Sequence, residues 1–246
     1  MKVDDVYTYV KNIPHMTVDQ AKVITRFVID NNCKNILELG FEHGVSTCYL
    51  AAALDEIGDG SITTIDLEDA RDVRPNIEIL FDQIKLSRFV KIYYEPTSYI
   101  WRLMRLIEQN PDPAFDLCYL DGAHTWFVDG FAFFLVDKLL KPGGWIIFDD
   151  LDWTFKTSPE LKKSKMVKIM PTEEKETPQI RKVYELLVKP HPGYGEFMEK
   201  DGWAYARKSP INMPLIAFKK EIIHEKEYVG LGSVLLQIGR KILRSF

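Results

Sequence analysis

Two apolar runs that end in carboxylates constrain this chain most. Phe115–Leu120 (FDLCYL) runs straight into Asp121, and Gly144–Phe148 (GWIIF) runs into Asp149 and Asp150. Between them, Trp126–Leu140 carries a helical period and stops at Lys141-Pro142-Gly143-Gly144. A strand, a helix and a second strand in that order make neighbouring parallel strands. In an open parallel sheet, ligands bind beyond the carboxyl ends of the strands. Asp121, Asp149 and Asp150 are therefore expected to meet at the mouth of the sheet, with His124 one turn beyond Asp121. Carboxylates gathered in one place repel each other unless something positive sits among them, and a hard divalent cation suits that position.

Upstream, the same alternation repeats. Thr17 with Gln20 reads as a capping box, followed by Ala21, Ile24, Phe27 and Val28 at helical spacing. The first strand, Lys34–Leu39, enters Gly40-Phe41-Glu42-His43-Gly44, and a helix over Val45–Ile57 follows. Free N–H groups at such a helix start attract an anion. A dinucleotide loop requires the spacing G-x-G-x-x-G, whereas here Glu42 and Val45 stand where the second and third glycines belong. A carboxylate at 42 repels a pyrophosphate; it disturbs a ligand with one carboxylate and a cationic centre much less. That description fits S-adenosylmethionine (SAM) better than NAD or ATP.

The second strand, Ser61–Ile65, ends in Asp66, an acid placed to accept hydrogen bonds from a ribose diol. A helix over Pro75–Leu86, a third strand Phe89–Tyr94 and a helix Tyr99–Gln109 lead to the central unit. After it come a charged stretch, 153–177, a helix Pro178–Val188, and a hairpin of Gly195–Lys200 and Trp203–Lys208 on an Asp201-Gly202 turn. The expected fold is α/β: a doubly wound, Rossmann-like, mostly parallel seven-stranded sheet closed by an antiparallel hairpin, with helical additions at both ends. Residues 1–208 are expected to form the main domain, with a helical arm at 1–32 and a lid-like insertion at 153–177. Residues 209–246 form an extension whose last part, Val229–Phe246, is amphipathic and basic. That helix suits core packing, a homo-oligomer contact or an anionic membrane surface.

Charge and cysteine usage narrow the function. A net charge of −4 argues against a nucleic-acid-binding surface. The first ten residues lack an apolar signal core, and no apolar run approaches the length of a membrane span. Cys33, Cys48 and Cys118 fit neither a disulfide framework nor a zinc spacing, so they read as reduced thiols of a cytoplasmic protein.

Several of these residues together resemble the class I SAM-dependent methyltransferases: Glu38-Leu39-Gly40 through Gly44, Asp66, Thr97-Ser98, and Leu140-Lys-Pro-Gly-Gly144. Within that superfamily, Asp121-Gly-Ala-His124 followed by Phe148-Asp149-Asp150 is similar to the metal-dependent O-methyltransferases, in particular the branch with macrocin-type sugar enzymes, and more distantly the catechol enzymes. The resemblance spans about residues 20–208. It implies that Glu38, Gly40 and Gly44 shape the cofactor pocket, with Ser46 by the methionine carboxylate, Asp66 on the ribose and Ser98 by the adenine. It implies Mg²⁺ (or Mn²⁺) on Asp121, Asp149 and Asp150, with Asp121 also close to the cofactor, and His124 as general base. Sugar enzymes of this branch often carry Glu where Asp149 stands.

The implied activity is methyl transfer to a hydroxyl of a sugar, nucleotide sugar or glycoside. A phenolic acceptor is the alternative within the class, and a non-catalytic partner-binding subunit the alternative outside it. Glu42 disfavours an NAD-dependent oxidoreductase. Asp121 taken alone would suit a helix cap. His43 would touch the cofactor or close its turn, and His15, His191 and His224 are expected at the surface. Trp126, Phe127, Phe131, Phe133 and Phe134 are expected in the core, with Trp126 and Trp153 flanking the mouth.

Overall fold

The computed structural model describes residues 1–158, 161 and 164–210. A sheet of seven strands forms its middle layer, in the order β3-β2-β1-β4-β5-β7-β6. The strands are β1 (Asn35–Leu39), β2 (Ser61–Leu67), β3 (Val90–Glu95), β4 (Phe115–Leu120), β5 (Leu140–Phe148), β6 (Tyr194–Lys200) and β7 (Trp203–Lys208). β3 to β5 run parallel, while β7 pairs antiparallel with both β5 and β6. The chain builds outward from β1 in one direction through β2 and β3, then returns to the other side of β1 with β4. The crevice where that order reverses is where such sheets bind ligands.

Strand periodicity sorts the core into two halves. In β1, Ile36 points into one apolar cluster and Leu37 and Leu39 into another; in β4, Leu117 and Tyr119 join the first, Cys118 and Leu120 the second. The first cluster is covered by helices α1 (Val3–Val10), α2 (Val18–Asp30), α3 (Val45–Ile57) and α4 (Ile77–Ile84). The second is covered by α5 (Tyr99–Gln109), α6 (Trp126–Leu139) and α9 (Gln179–Val183). With helices on both faces the central strands lose their polar side, so they read as continuous apolar runs. Thr17 caps α2 as its sequence predicts: its hydroxyl accepts from Gln20 N, and the Gln20 side chain accepts from Thr17 N at 2.9 Å.

Some boundaries differ from the sequence reading, each for a local reason. β2 continues to Leu67 because it stays paired with β3 as far as Glu95, which places Asp66 within the strand. β5 begins at Leu140, directly after α6, and its glycine-containing start bulges: Phe115 pairs with Leu140, and the next match is Leu117 with Trp145. The helix expected at Pro178–Val188 is α9 followed by a wider π turn over Tyr184–Val188. The stretch 153–177 contains two short helices, α7 (Lys165–Ile169) and α8 (Thr172–Glu176). Phe155, Val167 and Met170 give it a small core of its own, with Trp153 packed against them.

The aromatic row of α6 corrects an expectation. Phe133 is buried, but Trp126, Phe127, Phe131 and Phe134 are exposed. α6 is apolar all round its circumference, yet the sheet meets only one side of it, so the other aromatic rings face outward. Asp152 is exposed and pairs with Arg181, whose Nε and an Nη donate to its two oxygens at 2.6 and 2.9 Å. The amphipathic segment Val229–Phe246 lies outside the described residues. Among the described residues, no helix is long and apolar enough to cross a membrane.

Candidate active site

The turn from β1 into α3 is fixed from three sides. Gly40 has φ +85°, and a Cβ there would stand 1.8 Å from the carbonyl oxygen of Asp121, so the ends of β1 and β4 touch through this glycine. Gly44, at φ +88°, abuts Ile77 in the same way. Asp66 supplies the third constraint. Its Oδ2 accepts from the amides of Phe41 at 2.7 Å and Glu42 at 2.6 Å, and its Oδ1 from that of Leu67. Two amides that a phosphate would otherwise claim are thus already satisfied, which adds a second argument against a pyrophosphate ligand to that of Glu42. Burial raises the Asp66 carboxyl above its ordinary value against those three hydrogen bonds.

Glu38 lies fully buried beneath the turn. Its carboxylate accepts from the hydroxyls of Ser46, Thr47 and Thr64, each at 2.6 Å. Burial pushes the Glu38 carboxyl up to about 7 despite those three donors, and the charge of Asp121 adds to the shift. Through Ser46, Glu38 fixes the wall of the cavity rather than facing it. Ser98 caps α5, its hydroxyl accepting from Ile100 N at 3.2 Å.

At the ends of β4 and β5, Asp121, His124 and Asp150 each bring one metal-type donor atom within 4.8 Å of the others. His124 Nε2 stands 3.1 Å from Asp150 Oδ2 and 3.5 Å from Asp121 Oδ1. Neither contact has hydrogen-bond geometry, and this buried nitrogen finds no hydrogen-bond partner. Burial works to lower the His124 pKa; the two carboxylates overcome it and raise it to about 10. The two carboxylate oxygens fit a divalent cation of the Mg²⁺ or Mn²⁺ kind, and the orphaned imidazole nitrogen beside them is placed to exchange a proton with a group held there.

Asp149 sits differently from its neighbours. Its Oδ1 accepts from Trp203 Nε1 at 2.5 Å and from the amide of Asp150 at 2.6 Å, and its Oδ2 from the hydroxyl of Tyr119. The carboxylate still borders the cavity, but its hydrogen bonds run inward and brace the backbone that carries Asp150. Burial, and then the charge of Asp121, hold its carboxyl well above the usual range.

A second tier braces His124. The Tyr99 hydroxyl accepts from Ala123 N and donates to Asp129, whose other oxygen accepts from Thr125 N at 2.8 Å. Asp129 and Thr125 cap α6, so Asp121 is free of the capping role. The first turn of α6, with its hydroxyl and acid, carried that signal in the sequence; Tyr99, Tyr119 and Trp203 carried none. Among the described residues, eight non-glycine residues have positive φ, and four of them, His15, Glu42, His124 and Asp150, border this cavity. Backbone held in that region costs energy and collects at functional sites.

Gly40, Ser46, Asp66, Ser98, Asp121, His124, Asp149 and Asp150 line one cavity of about 720 Å³. Gly44 and Glu38 stand behind its wall. The arm contributes His15, Met16 and Gln20 to the rim. Trp153 lies against His124 with ring centroids 4.7 Å apart, whereas Trp126 borders a separate cleft beside Phe127 and Leu186.

Residues 37–151 match a family model described as a methyltransferase domain. No curated protein matches the chain. Solved structures do. An O-methyltransferase of tomaymycin synthesis from Streptomyces achromogenes, in complex with SAM, is 17% identical; the match covers 84% of this chain and 89% of that one, with a TM-score of 0.61. An O-methyltransferase from Bacillus cereus in complex with SAH is 22% identical over 84% and 90% of the two chains, with a TM-score of 0.61. A SAH-bound methyltransferase from Podospora anserina is 16% identical over 84% and 87%, with a TM-score of 0.59. At these identities the likeness establishes the shared fold. With the glycine turn and the crevice beside it, the matched segment leads to one conclusion: the chain carries a methyltransferase domain.

Proposed function

We propose that the chain is a SAM-dependent O-methyltransferase, assisted by Mg²⁺ or Mn²⁺, that methylates a hydroxyl of a sugar, nucleotide sugar or glycoside. The observation that carries this reading is the convergence of Asp121, His124 and Asp150 in the cavity that also contains the glycine turn. The SAM- and SAH-bound O-methyltransferases of the same fold support the choice of cofactor. Asp66 then meets the ribose, Ser98 borders the adenine, and Ser46, held by Glu38, borders the methionine end. A cytoplasmic setting suits three buried free thiols.

Methyl transfer is an in-line displacement at the sulfonium carbon, and the acceptor is its difficult partner because a protonated hydroxyl is a weak nucleophile. A divalent cation held there would favour the deprotonated form of a bound hydroxyl. Asp121 and Asp150 would hold that cation, and Asp149 positions Asp150 by accepting from its amide. His124 would receive the hydroxyl proton, once a cation offset the two carboxylates that raise its pKa. Trp153, packed between His124 and Phe155, would support the imidazole from behind.

The test is transfer of a labelled methyl group from SAM to a panel of nucleotide sugars, glycosides and catechols, with and without chelator. Turnover of a glycoside or nucleotide sugar, lost with EDTA and restored by Mg²⁺ or Mn²⁺, is the expected result. Turnover indifferent to chelation removes the metal from the scheme, and turnover confined to catechols replaces the sugar acceptor with a phenol.

A further inference from the structure

A second group of metal-type donors stands at the rim of the cavity, apart from the carboxylates of β4 and β5. His15 precedes α2; Glu42 and His43 belong to the turn after β1. One donor atom from each lies within 4.8 Å of the others. His15 Nε2 is 3.0 Å from Glu42 Oε2, and the two imidazole rings stack with centroids 6.0 Å apart.

The chemistry of His43 is informative. Its Nδ1 lies 2.6 Å from the carbonyl oxygen of Pro75. A carbonyl can only accept, so Nδ1 carries the proton and Nε2 of the neutral ring keeps its lone pair. Metal-ligating histidines are oriented in this way, with one ring nitrogen donating to a backbone carbonyl and the other turned to the ion. His15 and Glu42 are held at φ +91° and +43°, so both side chains reach this spot from backbone conformations an ordinary residue avoids. Cys33, Cys48 and Cys118 are buried and offer no competing thiolate.

We propose that His15, Glu42 and His43 form a site for a zinc-class transition ion that ties the loop before α2 to the glycine turn and so latches the entrance of the cofactor cavity. Two imidazoles and one carboxylate suit Zn²⁺ and its neighbours and suit Mg²⁺ poorly. The site therefore selects a different ion from the cluster of Asp121 and Asp150. Three protein ligands leave a coordination position open, the arrangement of an exchangeable site rather than a closed structural one. His15 and Glu42 are about half exposed, with side chains 40% and 50% accessible, so the ion reaches them from solvent. Both residues also border the cavity, so joining them restricts the movement of the arm across its mouth. The latch rests on the cofactor assignment above; the ion site does not.

The test measures bound metal on the full chain by equilibrium dialysis against Zn²⁺ and elemental analysis. Wild type is compared with His15→Ala, Glu42→Gln and His43→Ala, each checked for an unchanged far-UV spectrum. Each variant should hold one equivalent of zinc less than wild type, and Asp150→Asn should keep that equivalent. Zinc content unchanged in His15→Ala and Glu42→Gln overturns the site. The latch is read separately, as the rate at which bound SAM exchanges. Zn²⁺ should slow exchange in wild type and leave His15→Ala unaffected, and equal rates with and without Zn²⁺ overturn the latch. SAM that does not bind at all would instead remove the cofactor assignment, and the zinc measurement would still judge the ion site.

Discussion

Glu38 is a charge buried without a cation: three hydroxyls surround it, and it carries the wall of the cavity through one of them. Its folded pKa of about 7 lies above the ordinary 4.5, so between those values the folded chain holds a proton that the unfolded chain releases. The stability this contributes is fully present below the unfolded value and is lost as pH rises through the folded one, on the order of 3 kcal/mol across the window. Glu38→Gln carries no such proton. Its melting temperature relative to wild type should therefore be several degrees more favourable at pH 8 than at pH 5. Scanning calorimetry at the two pH values checks this, and an equal difference at both would mean that Glu38 titrates normally. His124 allows a second test at this scale. As the base, its change to Asn should lower kcat by roughly 10²–10⁴-fold while Mg²⁺ affinity holds; loss of Mg²⁺ affinity would make the imidazole a ligand instead. Asp121, His124 and Asp150 were legible in the sequence because strand ends of a parallel sheet must meet. The inward set of Asp149 was not, because its partners Tyr119 and Trp203 lie 30 and 54 residues away and no local pattern announces them.

Most elements followed from pattern alone. α3, α5 and β4 have the expected bounds because each is framed by a glycine, a serine cap or a proline-bracketed turn. The α6 aromatics misled because an apolar residue states only that it can be buried, and an element apolar on every side does not say which side the sheet will take. The stretch after β5 held a feature that its sequence did not show. Its charge and prolines hid a core made by Val167 and Met170, one helical turn apart, with Phe155, which stands well before them in the chain. A cluster of three buried side chains is small beside those flanking the sheet, so this stretch should open on its own, below the free energy of global unfolding. Phe155→Ala removes its largest member, a change that typically costs 3–5 kcal/mol in a packed core. Hydrogen exchange should quicken across residues 164–177 in that variant while β1 and β4 keep their protection. Exchange that quickens equally in the sheet would show the segment to be part of the main cooperative unit.

Across the whole molecule, β1, β4 and β5 send their carboxyl ends to one crevice, and residues from the arm close its rim. A ligand seated there touches segments far apart in sequence that only the folded chain brings together. It therefore binds the folded state alone and stabilises it by mass action, about 2.7 kcal/mol at a hundredfold excess over Kd. For a chain of this length that is a rise of roughly 5–10 °C in melting temperature. The two proposed ligands use different residues, so their contributions should separate. Asp150→Asn should lose the increment from Mg²⁺ and keep most of that from SAM. Asp66→Asn should weaken the SAM increment, because the amide can no longer accept from Phe41 N, Glu42 N and Leu67 N at once and still face a ribose; the Mg²⁺ increment should persist. Thermal shifts of both variants with each ligand alone and with the pair measure this directly. If the two variants lose both increments together, the crevice responds as one site, and the separate cation and cofactor positions assigned to it have to be merged.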